Sequence, residues 1–155
     1  MERVSIMYEL DAVDCKIIYL LQRNARMSLK DLASEVFLTS PAVSARIDKL
    51  ERKGIIQGYH AQVCPDAFLL QIKAFVNVRM DPAQKNDLYE YVKGIDNVIQ
   101  CDCVTGDYEI FMEVLFHNTV ELDQFIDDLQ KFGETKTQIV FSTAVEHRGL
   151  PIEVN

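Results

Sequence analysis

Leu38-Thr39-Ser40-Pro41-Ala42-Val43-Ser44-Ala45-Arg46-Ile47-Asp48-Lys49-Leu50-Glu51-Arg52-Lys53-Gly54 reads as one short helix with a marked start and a marked stop. Ser40 is an effective N-cap and Pro41 fits the first helical position, where no intrahelical N–H is needed. Val43, Ile47 and Leu50 recur at helical spacing and form a buried stripe. Gly54 suits the residue just past the end. The exposed side of this helix carries small and basic groups: Ser44, Ala45, Arg46 and Lys49, then Arg52 and Lys53.

Working backwards, Ser28 and Asp31 form a capping-box-like pair that opens another short helix, with Leu29, Leu32, Ala33 and Val36 as its apolar face. Only a few residues separate it from the helix beginning at Ser40. A longer helix precedes both, from Asp11 to Asn24, with Leu10, Val13, Ile17, Ile18, Leu20 and Leu21 along one wide stripe. Two short helices joined by a tight turn describe a helix-turn-helix, whose second helix enters the major groove of double-stranded DNA. The groove-facing candidates are Thr39, Ser40, Pro41, Ala42, Ser44, Ala45, Arg46 and Lys49. Hydroxyls serve base edges or phosphates, and arginine matches guanine or phosphate. Arg52 and Lys53, near the helix end, suit the phosphate backbone.

Working forwards, Gly58–Val63 is strand-like, and Pro65-Asp66 marks a boundary. Residues 59–68 are therefore expected to form a linker strand or hinge between an N-terminal domain, 1–58, and a C-terminal one, 69–155. In 70–80 apolar residues alternate with polar ones, the mark of a half-buried strand. Asp81-Pro82 opens a helix to about Lys93. Strands are expected at 98–104, 108–116 and 137–145, and a helix at 119–131. The order βαββαβ is ferredoxin-like: an antiparallel sheet with two helices on one face. The fold class expected is thus α+β, a winged-type three-helix head followed by a ferredoxin-like domain. Phe75, Phe111 and Leu115 fall among Lys73, Glu109 and Glu113 on the open face, which suggests a partner sheet and hence a homodimer.

The formal net charge of −8 is unfavourable for gripping a duplex. It is unevenly spread. Residues 1–60 hold nine Lys/Arg against eight Asp/Glu, a balance of +1; residues 61–155 hold seven against sixteen, a balance of −9. Several heads on one oligomer would add their affinities. No run of residues approaches the length of a membrane span, and Met1–Leu10 lacks the apolar core of a secretory signal, so a cytoplasmic, nucleoid-associated protein is expected. Cys15, Cys64, Cys101 and Cys103 form no C-x-x-C pair and are read as free, mostly buried thiols. No His/Cys cluster has zinc-like spacing, so no metal is expected.

Several runs resemble the leucine-responsive and asparagine-responsive (Lrp/AsnC) regulators: Leu10-Asp11 with Asp14–Ile18, Leu21–Arg26, Arg46-Ile47 with Leu50-Glu51, Gly54–Tyr59, and Thr105-Gly106-Asp107-Tyr108-Glu109. The resemblance implies dimers joined through the second domain, often assembled into octamers. It implies no cofactor beyond an amino-acid effector, bound at contacts between dimers. Carried over by position, the effector site comprises Thr105, Gly106, Asp107, Tyr108 and Glu109, with Gln130 near the end of the last helix. Many relatives have Asp where this chain has Glu109. The residues themselves allow two readings of Gly106-Asp107: a plain hairpin turn, or backbone N–H groups that receive a ligand carboxylate while Asp107 or Glu109 meets an ammonium.

The expected function is a sequence-specific, effector-responsive transcription regulator. An architectural DNA-wrapping protein is the alternative, distinguished by salt-steep binding with little sequence preference. Catalysis has little behind it: no nucleophile–base pair and no phosphate-cradling glycine loop is evident, and Asp107 with Glu109 is the one possible acid pair.

Overall fold

The computed structural model describes residues 10–154 and divides into two compact units, one formed by residues up to Gln62 together with those from Val145 onward, the other by Val63–Ala144. The reading of Met1–Leu10 falls, apart from Leu10, outside the described residues.

The first unit contains α1 (Ala12–Arg23), α2 (Leu29–Val36) and α3 (Ser40–Arg52). Its core joins Ile17 and Leu21 of α1, Leu32, Ala33 and Val36 of α2, and Val43 of α3. Asp11 caps α1 in a full capping box with Asp14, and Ser28 caps α2 by accepting from the Asp31 N–H. Two sequence expectations shift here. Leu29 is exposed rather than buried. The cap of α3 is Thr39, whose hydroxyl accepts from the Ala42 N–H at 3.4 Å, so Ser40 and Pro41 both lie within the first turn. Proline costs no hydrogen bond there. Gly54 has φ +67 just past the C-cap Lys53, where a side chain would be strained.

The expected strand at 58–63 is absent, because that segment has no strand to pair with among the described residues. Among those residues the first unit has no strand at all, and so no wing. The end of the chain also differs from expectation: residues from Val145 onward belong with the head, not with the second unit. Their anchor is Gln22 of α1. Its side-chain oxygen accepts from the Leu150 N–H at 2.7 Å, and its amide nitrogen donates to the Leu150 carbonyl at 3.3 Å.

The second unit has β1 (Ile72–Met80), α4 (Lys85–Lys93, preceded by a 3₁₀ turn at Pro82–Gln84), β2 (Val98–Cys103), β3 (Ile110–Phe116), α5 (Thr119–Leu129) and β4 (Gly133–Ile139). The sheet is antiparallel in the order β2-β3-β1-β4, the ferredoxin-like topology. The last strand begins four residues earlier than its apolar run suggested. Its early residues, Glu134 to Lys136, pair with Arg79 to Asn77 regardless of their polarity, because backbone groups make the ladder. Ala74, Val76, Val78, Ile110, Met112 and Val114 are buried on one face, beneath Leu88 and Val92 of α4 and Leu122, Phe125 and Leu129 of α5. The opposite face carries the Phe75–Phe111 stack, 5.1 Å between ring centres, and the Lys73–Glu113 ion pair at 2.9 Å.

Candidate functional site

Two sites take shape, one in each unit. In the head, α2 and α3 are separated by residues 37–39. Phe37 turns the chain in the left-handed conformation, φ 56 and ψ 41, and the residue is 94% exposed. A non-glycine residue in this region carries strain of roughly 1 kcal/mol or more. Beyond it, Pro41, Ala45 and Lys49 are exposed along α3, with Thr39 at the cap, Ser40, Ala42 and Ser44 half-buried, and Arg52 and Lys53 exposed at the far end. Thr39 and Lys49 are thus exposed, and Ser40 and Ser44 partly so, on the side a groove-reading helix would present.

Arg46 makes a contact that the sequence reading did not foresee. Its NH1 donates to Asp11 at 2.6 Å and to Asp14 at 2.7 Å, and its side chain is only 32% exposed against 8% for Asp14. Through NH1 the guanidinium ties α3 to the N-cap and first turn of α1. Asp14 is the buried charged residue of the head, and Arg46 is what makes its burial tolerable. The Asp14 backbone N–H holds the Asp11 carboxyl below its ordinary range, and Arg46 adds to this. A carboxyl with a lowered folded pKa contributes stability above its unfolded value and loses it as pH falls through the folded one. The urea midpoints of wild type and Asp11→Asn, both good caps, should accordingly differ at pH 7, begin to approach one another near about pH 4 and converge only as pH falls through the lower folded value. A gap independent of pH would contradict the assignment.

In the second unit, Thr105–Glu109 forms the turn between β2 and β3, closed by Val104 N–H donating to the Glu109 carbonyl at 2.8 Å. Gly106 has φ +118 with open space around it, so glycine is needed for conformation rather than for room. Thr105, Gly106 and Asp107 are exposed, while Tyr108 and Glu109 are half-buried. Glu109 Oε2 accepts from the Met80 N–H at 3.4 Å, which turns that carboxylate back toward β1 and leaves Asp107 as the outward acid of the pair. Tyr108 donates its hydroxyl to Glu134 at 3.0 Å, and that bond pushes its pKa upward. Gln130 caps α5 and is exposed. It stands three residues before Gly133, the partner of Met80, at the same end of the sheet as the turn. No backbone hydrogen bond joins it to the turn among the described residues.

Arg79 and Glu134, which contact the turn, escaped the sequence reading. Arg79 was visible as a charge on the open face of an alternating strand, but its proximity to Glu134 depends on the β1–β4 register. Among the described residues no group of acidic, His or Cys side chains is arranged to hold a metal, and no helix is long and apolar enough to cross a membrane. All four cysteines are free; Cys64 and Cys103 are exposed, contrary to the expectation of burial.

A capped head with a short second helix of polar surface is followed by a ferredoxin-like unit with a solvent-facing turn, the layout of a helix-turn-helix joined to a separate sheet domain. Comparison with known proteins gives the family. Residues 10–51 match the AsnC-type helix-turn-helix domain, and residues 73–150 match the Lrp/AsnC ligand binding domain. The chain is 34% identical over 132 residues to the HTH-type transcriptional regulator LrpA of Bacillus subtilis, covering 84% of this chain and 97% of that one. Its fold is shared by a transcriptional regulator of Neisseria meningitidis in complex with L-Met, with TM-score 0.87 and 24% identity over 92% of this chain and 97% of that one. The feast or famine regulatory protein of M. tuberculosis complexed with L-methionine is also similar, with TM-score 0.86 and 27% identity over 92% of this chain and 99% of that one. This chain belongs to the Lrp/AsnC family of transcription regulators, a family without enzymatic activity.

Proposed function

We propose that an amino acid binds at the Thr105–Glu109 turn and alters how dimers of this chain assemble, and thereby how the heads are spaced on DNA. The observation that carries this reading is the turn itself: Gly106, Asp107 and Tyr108 present backbone N–H groups that meet no backbone acceptor among the described residues, beside the exposed Asp107 carboxylate. Donors for a carboxylate and an acceptor for an ammonium are the two halves of amino-acid recognition. Gln130, at the same end of the sheet, would complete the site from α5. Two regulators of similar fold, each in complex with L-methionine, support the ligand class and make methionine the first to test.

Dimers would form through the open sheet face, where the stacked Phe75 and Phe111 need covering. Octamers would follow from dimer contacts at the turn. Phe75→Asp should lower the mass measured by light scattering; an unchanged mass would remove the open face from the interface.

On DNA, Thr39, Ser40, Pro41, Ala42, Ser44, Ala45 and Lys49 would face the major groove, with Arg52 and Lys53 on phosphates, in the cytoplasm and on the nucleoid. Lys49→Gln should reduce the slope of log affinity against log salt by about 1, as when one phosphate is no longer neutralised. An unaltered slope would show that Lys49 neutralises no charge on the duplex and would remove it from the DNA-facing set. The decisive experiment is a gel-shift and light-scattering panel with each of the twenty amino acids. If none alters affinity, footprint or mass, the effector reading fails; a specificity ratio near one against random DNA would favour an architectural wrapper instead.

A further inference from the structure

The ligand turn is held by a residue of a different strand. Arg79, near the end of β1 on the open face, donates from Nε to the Asp107 carbonyl at 2.9 Å. Its NH1 donates to Glu134 Oε2 on β4 at 3.2 Å, and its guanidinium lies over the Tyr108 ring, 4.9 Å from the centre. Tyr108 in turn donates its hydroxyl to Glu134 Oε1. Arg79 and Glu134 face each other directly in the β1–β4 register. Side chains from two strands thus enclose the Asp107–Tyr108 peptide.

In a trans peptide the carbonyl and the following N–H point in opposite directions, and there is no cis bond among the described residues. Anchoring the Asp107 carbonyl on Arg79 therefore turns the Tyr108 N–H away from the sheet and outward. We propose that Arg79 is a positioning residue for the ligand turn: it touches no ligand, but fixes the Asp107–Tyr108 peptide with its amide donor facing the incoming carboxylate. This rests on the reading that the turn binds an amino acid. Arginine suits the task because its planar fork bonds a carbonyl and a carboxylate at once while stacking on a ring, a combination lysine cannot reproduce.

The test uses the full chain with Arg79→Gln, Arg79→Lys and Tyr108→Phe, titrated calorimetrically with L-methionine and, if that is inert, with the other nineteen amino acids. Arg79→Gln should weaken binding roughly tenfold or more by loosening a preorganised donor, and Arg79→Lys by an intermediate amount. Tyr108→Phe, which keeps the carbonyl anchored, should cost less than about threefold. The unliganded melting midpoint should barely move in any of them, since exposed ion pairs contribute little stability. Wild-type affinity in Arg79→Gln would overturn the proposal. If no amino acid binds wild type, the ligand reading fails by itself, and positioning is judged on the free protein by ¹⁵N relaxation. The order parameter of the Tyr108 amide should then match the strands in wild type, near about 0.85, and fall below about 0.6 in Arg79→Gln; equal order in both would overturn the role of Arg79.

Discussion

Gly133→Ala should unfold the ligand-binding unit at temperatures where wild type is intact. Gly133 opens β4 opposite Met80, with φ +156, and a Cβ placed there would lie 2.0 Å from the Arg79 carbonyl oxygen and 2.9 Å from the Met80 Cα. Both obstacles are backbone of the central strand β1, so neither can move aside as a flexible side chain would. Overpacking of this kind costs about 1–3 kcal/mol or more, and a positive φ for alanine adds about 1–3 kcal/mol. Domains of this size have roughly 5–15 kcal/mol in total. We expect the melting midpoint to fall by at least about 8 °C, since each kcal/mol shifts a small domain by roughly 4–8 °C. The midpoint can be read by calorimetry on the full chain. A shift under about 3 °C would mean that β4 pairs differently at its start.

Arg46→Ala should destabilise the head by about 2 kcal/mol, the worth of charge-assisted hydrogen bonds to a poorly solvated carboxylate. The loss arises chiefly at Asp14, left with a nearly buried charge and no cation beside it. Arg46→Glu should be worse, because it sets a third carboxylate against two. The double variant Arg46→Gln with Asp14→Asn should recover part of the loss, since removing both charges avoids an orphaned one. Urea denaturation of wild type, Arg46→Gln, Asp14→Asn and the double variant checks this; additive effects would show that the pair is not coupled. The result also bears on DNA binding. A vanished gel shift in an Arg46 variant reports a loosened α1–α3 joint as readily as a phosphate left without its cation, so Lys49 is the cleaner probe of the groove.

The head was legible because its signals are local. Ser28, with an acid three residues on, and Pro41 with Gly54, lie within one turn of what they control, and the apolar spacing of Ile17, Leu32 and Val43 leaves few ways to pack three helices. The sheet order followed from the sequence of elements, and the open-face aromatics from simple alternation. What escaped was set by partners distant in sequence. Nothing near Arg46 in the chain announces Asp11 and Asp14, 35 and 32 residues away. Likewise the start of β4 is decided by Arg79 and Met80, not by the polarity of Glu134 and Lys136. The turn at 105–109 was visible as a turn, whereas the side chain that orients it belongs to another strand.

The clasp between Gln22 and Leu150 has a consequence for dissecting the molecule. Two segments 128 positions apart in sequence close one compact unit, so its three helices have this hydrogen-bonded neighbour only when the segment around Leu150 is present. A fragment ending at Gln62 should therefore melt below the same helices in the 155-residue chain.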